Sequence, residues 1–272
     1  MDIFAPLNNL IEAIYQAGLS QTIYDAWNLV DFALIAVFCL IYRKHYGISR
    51  AKSVLIPFII YVLSAVLIRF IGWAATGFTV FGPNNVVKGF SFFPLFGLLV
   101  AKMFKMDFKR VMDFTAPCFP MLQFIGHIVC VLPGCCYGYP MHNGIWNPDL
   151  QIYCFPNQFL ESFVALVIVV ACILIARKND YKVTGKMYPF FLITFGSTRF
   201  LLEFLRDNNK LFWGISDLAL WALLMVVVGV TWLLIDKYGK PKAVEVAAEA
   251  PVQKKPAANK SKKKSNKSKK KH

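Results

Sequence analysis

Seven apolar stretches separated by short loops dominate the chain: residues 28–42, 54–74, 90–104, 114–133, 158–176, 187–205 and 215–235. A helix that crosses a bilayer needs about 20 largely apolar residues, and its backbone satisfies its own polar groups. Several stretches reach that length, and the first and third need their flanks. Soluble domains average about 45–50% apolar residues, whereas this chain is 57% hydrophobic. The expected fold class is all-α: a polytopic membrane protein with seven transmembrane helices. The first 27 residues contain no lysine or arginine and show no signal-peptide pattern, and they are expected to form an interfacial helix before the first span.

Loop charges orient the spans. Arg43, Lys44, Arg50 and Lys52 lie between spans one and two. Lys102, Lys105, Lys109 and Arg110 lie between three and four, and Arg177, Lys178, Lys182 and Lys186 between five and six. The alternate loops carry Lys88 alone, then no basic residue across 134–157, then Arg206 and Lys210. Basic loops stay cytoplasmic, so the N-terminus is expected outside and the C-terminus in the cytoplasm. An odd number of spans is required, and seven agrees.

The net charge of +15 at first suggests a nucleic-acid partner. Thirteen of the 30 Lys+Arg residues, however, fall from Lys237 onward. The rest are scattered in short loops, with neither a basic groove nor an aromatic platform, so no specific nucleic acid is expected. The chain therefore divides into a membrane domain, 1–240, and a lysine-rich tail, 241–272. The tail lacks large apolar residues and is expected to be disordered. Anionic lipid headgroups are its expected partner.

Charges inside apolar stretches point to a site. Within KMYPFFLITFGSTRFLLEFLRD, Arg199, Glu203 and Arg206 stand at i, i+4 and i+7, on one face of a continuous helix. Intramembrane charges normally face a protein interior or a wet cavity. Arg206, nearest the end, is also placed to snorkel to the interface, while Arg199 lies about two turns deeper. A second stretch, GHIVCVLPGCCYGYP, carries His127 within the fourth span, then Gly134 and Gly138 with Pro133 and Pro140, which break the helix. Cys130, Cys135 and Cys136 form C-x4-C-C, which does not match zinc spacing, and no metal is expected. Cys154 is a candidate disulfide partner for Cys135 or Cys136; small buried thiols packing a turn are the alternative. The fifth span opens with Gln158 and Glu161 in its first turns, where Glu161 is either a site residue or a capping charge.

In this order and topology, the three stretches resemble the bacterial prolipoprotein diacylglyceryl transferase family over about Ser91 to Gly229. GHIVCVLPGCCYG is similar to the family's G-R-x-G-N-F-x-N-x-E-x-x-G signature, and PNQFLES to its P-x-Q-L-Y-E helix start. RFLLEFLRD, followed by Gly214, Ile215 and Ser216, is similar to its R-F-x-x-E-F-x-R and the span that follows. The resemblance implies seven spans in the bacterial inner membrane. It also implies transfer of the diacylglyceryl group of phosphatidylglycerol to the lipobox cysteine of a preprolipoprotein signal peptide, without a cofactor. On this reading Arg199 stabilises the phosphate and Arg206 supplies further donors. Glu203 orients Arg199 or accepts the thiol proton, and His127 is a headgroup ligand or base. Gln158, Glu161, Gly134 and Gly138 are expected to bind or shape the substrate side. The match departs from the family pattern at four positions: His127 stands for an arginine, Cys130 for an asparagine, Cys135 for a glutamate and Phe93 for a histidine. Two other readings follow from those departures and from the cysteines: a lipid- or signal-peptide-binding protein of the same fold without chemistry, and a thiol-disulfide protein built on Cys135 and Cys136.

Overall fold

The computed structural model describes residues 3–79, 86–207, 210–212 and 214–239. The lysine-rich segment 241–272 lies outside the described residues. In chain order the elements are α1 (Ala5–Gln16), α2 (Ser20–Tyr42), α3 (Arg50–Ala75), α4 (Val86–Phe90), α5 (Phe93–Met103), α6 (Phe108–Thr115) and α7 (Cys118–Val129). They continue with β1 (Pro140–Asn147), β2 (Ile152–Cys154), α8 (Asn157–Lys178), α9 (Met187–Leu202), β3 (Lys210–Phe212), β4 (Ile215–Ser216) and α10 (Asp217–Tyr238).

Each apolar stretch is helical, but their lengths differ. Among the described residues, four helical segments, Ser20–Tyr46, Arg50–Ala75, Asn157–Lys178 and Asp217–Tyr238, are long and apolar enough to cross a membrane. The remaining stretches are broken or shorter, and proline accounts for the clearest break. The fourth stretch is two helices, α6 and α7, that meet at Pro117, the N-cap of α7, because proline has no N–H to continue the ladder. The third is divided by a turn at Ser91–Phe92, after which Pro94 occupies the first turn of α5. An expectation of helices alone omits two small antiparallel sheets. β1 pairs with β2, with Trp146 opposite Tyr153, and β3 pairs with β4. α1 is present before the first long helix. It pins the first hairpin through Asn8, whose amide donates to the Gly144 carbonyl at 3.2 Å and accepts from the Trp146 N–H at 2.9 Å.

The core is aromatic. Phe90, Phe93, Phe119, Tyr188, Phe191 and Phe195 are buried together, and the Phe93 and Phe119 rings lie 4.1 Å apart, edge to face. Phe93 thus fills the core rather than a site. α9 and α10 pack closely because Gly196 has no side chain; a Cβ there would stand 2.7 Å from the Ala222 carbonyl oxygen. Apolar burial gives little drive between helices in lipid, so close backbone approach of this kind carries the packing. At the end of the bundle where α9 begins, buried Asp113 of α6 accepts hydrogen bonds from the backbone N–H groups of Thr184, Gly185 and Met187 at 2.7, 2.8 and 3.0 Å. This carboxylate satisfies otherwise orphaned donors at the start of α9 and sets where that helix enters.

Replacing Asp113 with alanine leaves those three donors without their charged acceptor. The change should lower stability by about 3 kcal/mol, read as a fall in the melting temperature of the detergent-purified protein. Asp113→Asn should lose less, and an alanine variant that melts with the wild type would contradict this role.

Candidate active site

The site is assembled where four chain segments end close together: the C-terminal ends of α7 and α9, the N-terminal end of α8 and the loop before β1. Hydrogen bonds between elements fix the frame. Trp27 Nε1 of α2 donates to the Ile125 carbonyl at 3.0 Å, and Ser162 Oγ of α8 donates to the Phe124 carbonyl at 2.6 Å. Both therefore hold α7 against its neighbours.

Glu161 is the hub. It is buried in the second turn of α8, and its Oε1 accepts from Arg199 through a short ion pair and from Asn157 Nδ2 at 2.5 Å. Arg206 Nε stands 3.3 Å from the same oxygen, and His127 Nε2 lies 3.3 Å from Oε2. Glu203 supplies the second carboxylate. Its Oε2 is 2.9 Å from Arg199 Nη2 and 3.9 Å from Arg206 Nη1, and its Oε1 accepts from Ser216 Oγ at 2.9 Å. Arg199, Glu161, Glu203 and Arg206 are only 4, 5, 2 and 9% exposed. Charges this buried are tolerated because two guanidinium groups face two carboxylates and each is hydrogen-bonded.

The loop after α7 is folded back onto this network. Gly134, with φ of +70°, takes a left-handed turn, and its carbonyl accepts from Asn147 Nδ2 at 3.0 Å. Gln158 Nε2 donates to the Cys135 carbonyl at 2.8 Å. Gly138 forms an isolated antiparallel bridge with Arg206, and a Cβ at Gly138 would stand 2.8 Å from the Leu205 carbonyl oxygen. The glycine therefore allows the backbone contact that seats Arg206. Cys136, also left-handed at φ of +59°, turns its side chain toward the end of α7. Hydrogen bonds with the Cys130 and Cys135 thiols hold the Cys136 thiol well below its ordinary value, against burial, and the Arg206 guanidinium adds to the effect.

A cavity of about 600 Å³ opens beside the network. It is lined by Arg199, Arg206, His127, Cys130, Cys135 and Cys136, together with Tyr24, Asn28 and Asp31 of α2, Arg69 of α3 and Gln123 of α7. Phe32, Tyr61 and Leu122 also line an adjoining apolar cleft of about 270 Å³ between α2, α3 and α7. A charged, donor-rich chamber thus borders a greasy one.

The three motif stretches converge in space, and several details differ from the expectation. α9 ends at Leu202, a 3-10 turn carries Glu203, and Arg206 is extended at φ −89°, ψ 141°, so the three heads meet without sharing one continuous helix. Arg206 does not snorkel outward, because two carboxylates draw it inward. Glu161 reaches Asn157 at the start of its own helix but also Arg199 and Arg206, so it is a site residue and more than a capping charge. Gly134, Gly138 and Gln158 are not among the cavity-lining residues and act on the loop's shape. All seven cysteines are free, so Cys154 bridges neither Cys135 nor Cys136. Asp31 and Arg69 went unread in the sequence, although an acid within the first apolar stretch is the same kind of signal as Arg199.

A family model described as prolipoprotein diacylglyceryl transferase matches residues 73–235. Three relatives are similar to the chain. A phosphatidylglycerol–prolipoprotein diacylglyceryl transferase of Clostridium tetani is 26% identical over 153 residues, covering 52% of this chain and 59% of the relative. One of Methylobacillus flagellatus is 32% identical over 152 residues, covering 51% and 55%. A protein of Clostridium perfringens named as transferase 2 of that kind is 24% identical over 160 residues, covering 56% and 62%. The chain thus spans little more than half the length of the relatives it matches.

Removing the hub should be costly. Glu161→Ala strands two buried guanidinium groups with one carboxylate, a change expected to cost about 3–5 kcal/mol. It should appear as a large fall in melting temperature or loss of the monodisperse gel-filtration peak. A stable Glu161→Ala protein would show that the network is not what holds these helix ends together.

Proposed function

The chain belongs to the prolipoprotein diacylglyceryl transferase family, and from that premise we propose that it transfers the diacylglyceryl group of phosphatidylglycerol to the lipobox cysteine of a preprolipoprotein. The observation that carries this reading is the pair Arg199 and Arg206, held by buried carboxylates on the wall of a cavity that adjoins an apolar cleft. Such a site suits a lipid whose phosphate needs cationic donors and whose acyl chains need apolar surface.

In the reaction, the acceptor sulfur attacks the glyceryl carbon that carries the phosphate ester. A C–S bond forms, the C–O bond breaks, and glycerol phosphate departs with the bonding electrons. Arg199 and Arg206 stabilise the charge that grows on the departing oxygen, from positions set before the substrate arrives. Glu203 orients Arg199 and is poorly placed to act as the base, because its oxygens face Ser216 and the guanidinium groups. Asp31 is the better proton acceptor: it lines the cavity, and its buried Oδ1 has no hydrogen-bond partner. His127 brings an imidazole to the acceptor side. Gln158, Gly134 and Gly138 hold the loop, and the acyl chains occupy the cleft bounded by Phe32, Tyr61 and Leu122.

The loop charges further support a multi-pass arrangement in the bacterial inner membrane, with seven crossing segments, the N-terminus outside and the lysine-rich tail against anionic lipid on the cytoplasmic face. The site then faces outward, where a translocated lipobox peptide can reach it.

Purified full-length protein, incubated with phosphatidylglycerol and a lipobox peptide, should yield the thioether adduct by mass spectrometry. Arg206→Ala should reduce kcat/KM by about 100-fold or more, the scale of a lost oxyanion donor, and Asp31→Asn should slow transfer without weakening lipid binding. Retained lipid with no adduct, under conditions where another family member turns over, would overturn the reading in favour of a lipid-binding protein without chemistry.

A further inference from the structure

His127, Cys130 and Cys136 each present one ligand atom, and these atoms all lie within 4.8 Å of one another. The geometry of the chain explains the cluster. His127 and Cys130 stand three residues apart at the end of α7, on one face. The left-handed backbone at Cys136 turns the third donor back toward them. The Cys135 N–H donates to the Cys130 carbonyl at 3.2 Å and Gln158 holds the Cys135 carbonyl, so the residue before that turn is tied down, and the Gly138 N–H, donating to the Phe155 carbonyl at 3.0 Å, holds the chain after it.

The histidine is oriented as metal-binding histidines usually are. Nε2 faces the Glu161 carboxylate at 3.3 Å, and Nδ1 is buried without a hydrogen-bond partner. A carboxylate beside one ring nitrogen is the usual companion of a metal-binding histidine, and the buried, unpartnered Nδ1 is a nitrogen that a metal would satisfy. Two thiols and an imidazole are a soft to borderline donor set that suits Zn2+. Bonds of about 2.3 Å to sulfur and about 2.0 Å to nitrogen require the three donors to close up slightly around the ion. Two thiolates neutralise a divalent cation, so the ion adds no net charge beside Arg199 and Arg206.

We propose that His127, Cys130 and Cys136 form a zinc site whose open fourth position lies on the cavity and receives the acceptor thiol. The binding of zinc stands on the cluster alone; the part concerning the thiol rests on the transferase reading. Three protein ligands with a fourth, open position are the arrangement of catalytic rather than structural zinc. A thiol bound to zinc is deprotonated, and its proton passes to the Asp31 carboxylate. The zinc-held sulfur then forms the C–S bond as the C–O bond of phosphatidylglycerol breaks, and glycerol phosphate leaves toward the two arginines. Zinc does not change oxidation state.

The test begins with metal content. Full-length protein produced with zinc in the medium and purified under reducing conditions should carry about one zinc per chain, as tetrahedral sites of this donor class do. Cys130→Ser and Cys136→Ser should lose nearly all of it while remaining monodisperse. Cys172→Ala, a buried thiol elsewhere in α8, should keep it. Cobalt-loaded protein should show a thiolate-to-cobalt charge-transfer band that grows when a lipobox peptide is added and stays unchanged with its Cys→Ser analogue. A zinc-free protein with all seven thiols titratable, or one with a Cys130–Cys136 disulfide, would overturn the site. Bound metal whose spectrum ignores the thiol would overturn its role. The two failures separate cleanly: bound zinc without thioether product refutes the transferase reading, and thioether product from zinc-free enzyme refutes the zinc proposal.

Discussion

A single buried carboxylate holds this molecule's chemistry in place. Glu161 meets Arg199, Arg206, Asn157 and His127, which come from three separate helices and the extended segment after α9. Bringing such charges out of water is expensive unless each is paired. The pairing with Glu161 and Glu203 is therefore what lets two guanidinium groups stand at the wall of an interior cavity. Most of the surrounding architecture serves that pairing. Trp27 and Ser162 lock α7, Gly138 admits the Arg206 backbone, and the close approach of α9 and α10 at Gly196 sets the helix that carries Arg199.

Under the proposed transfer, the same pairing prepares the site for a phosphate. Donors already fixed by protein carboxylates need no reorganisation when charge develops on a leaving oxygen. The nearby apolar cleft takes no part in the charge balance and supplies a separate surface for hydrocarbon. Division between a wet, cationic chamber and a dry one is a physical answer to a ligand that is charged at one end and greasy at the other.

Much of this arrangement could be read before the fold was known, for reasons that differ by residue. Arg199, Glu203 and Arg206 were legible because charge in an apolar stretch needs an explanation. The resemblance to the family rested on the same residues. Glu161 was harder, since a carboxylate near a helix start is equally well read as a capping charge. Only the approach of α9 shows which role it takes. The His127–Cys130–Cys136 cluster was hidden more deeply. Its spacing matches no pattern of cysteine pairs, because it depends on left-handed turns at Gly134 and Cys136 that reverse the chain. The break at Pro117 and the hairpin of β1 and β2 were missed for a simpler reason: hydropathy measures how apolar a stretch is, not where its backbone hydrogen bonds stop.

The central claim is that the Arg199 network performs diacylglyceryl transfer, and complementation tests it most directly. A bacterium depleted of its own transferase would be supplied with this chain or with its Arg199→Ala variant, both at matched membrane levels. The account predicts growth and lipid-modified prolipoprotein with the wild type and neither with the variant. Well-folded wild-type protein in the membrane that fails to rescue, or rescue by Arg199→Ala equal to the wild type, would contradict it.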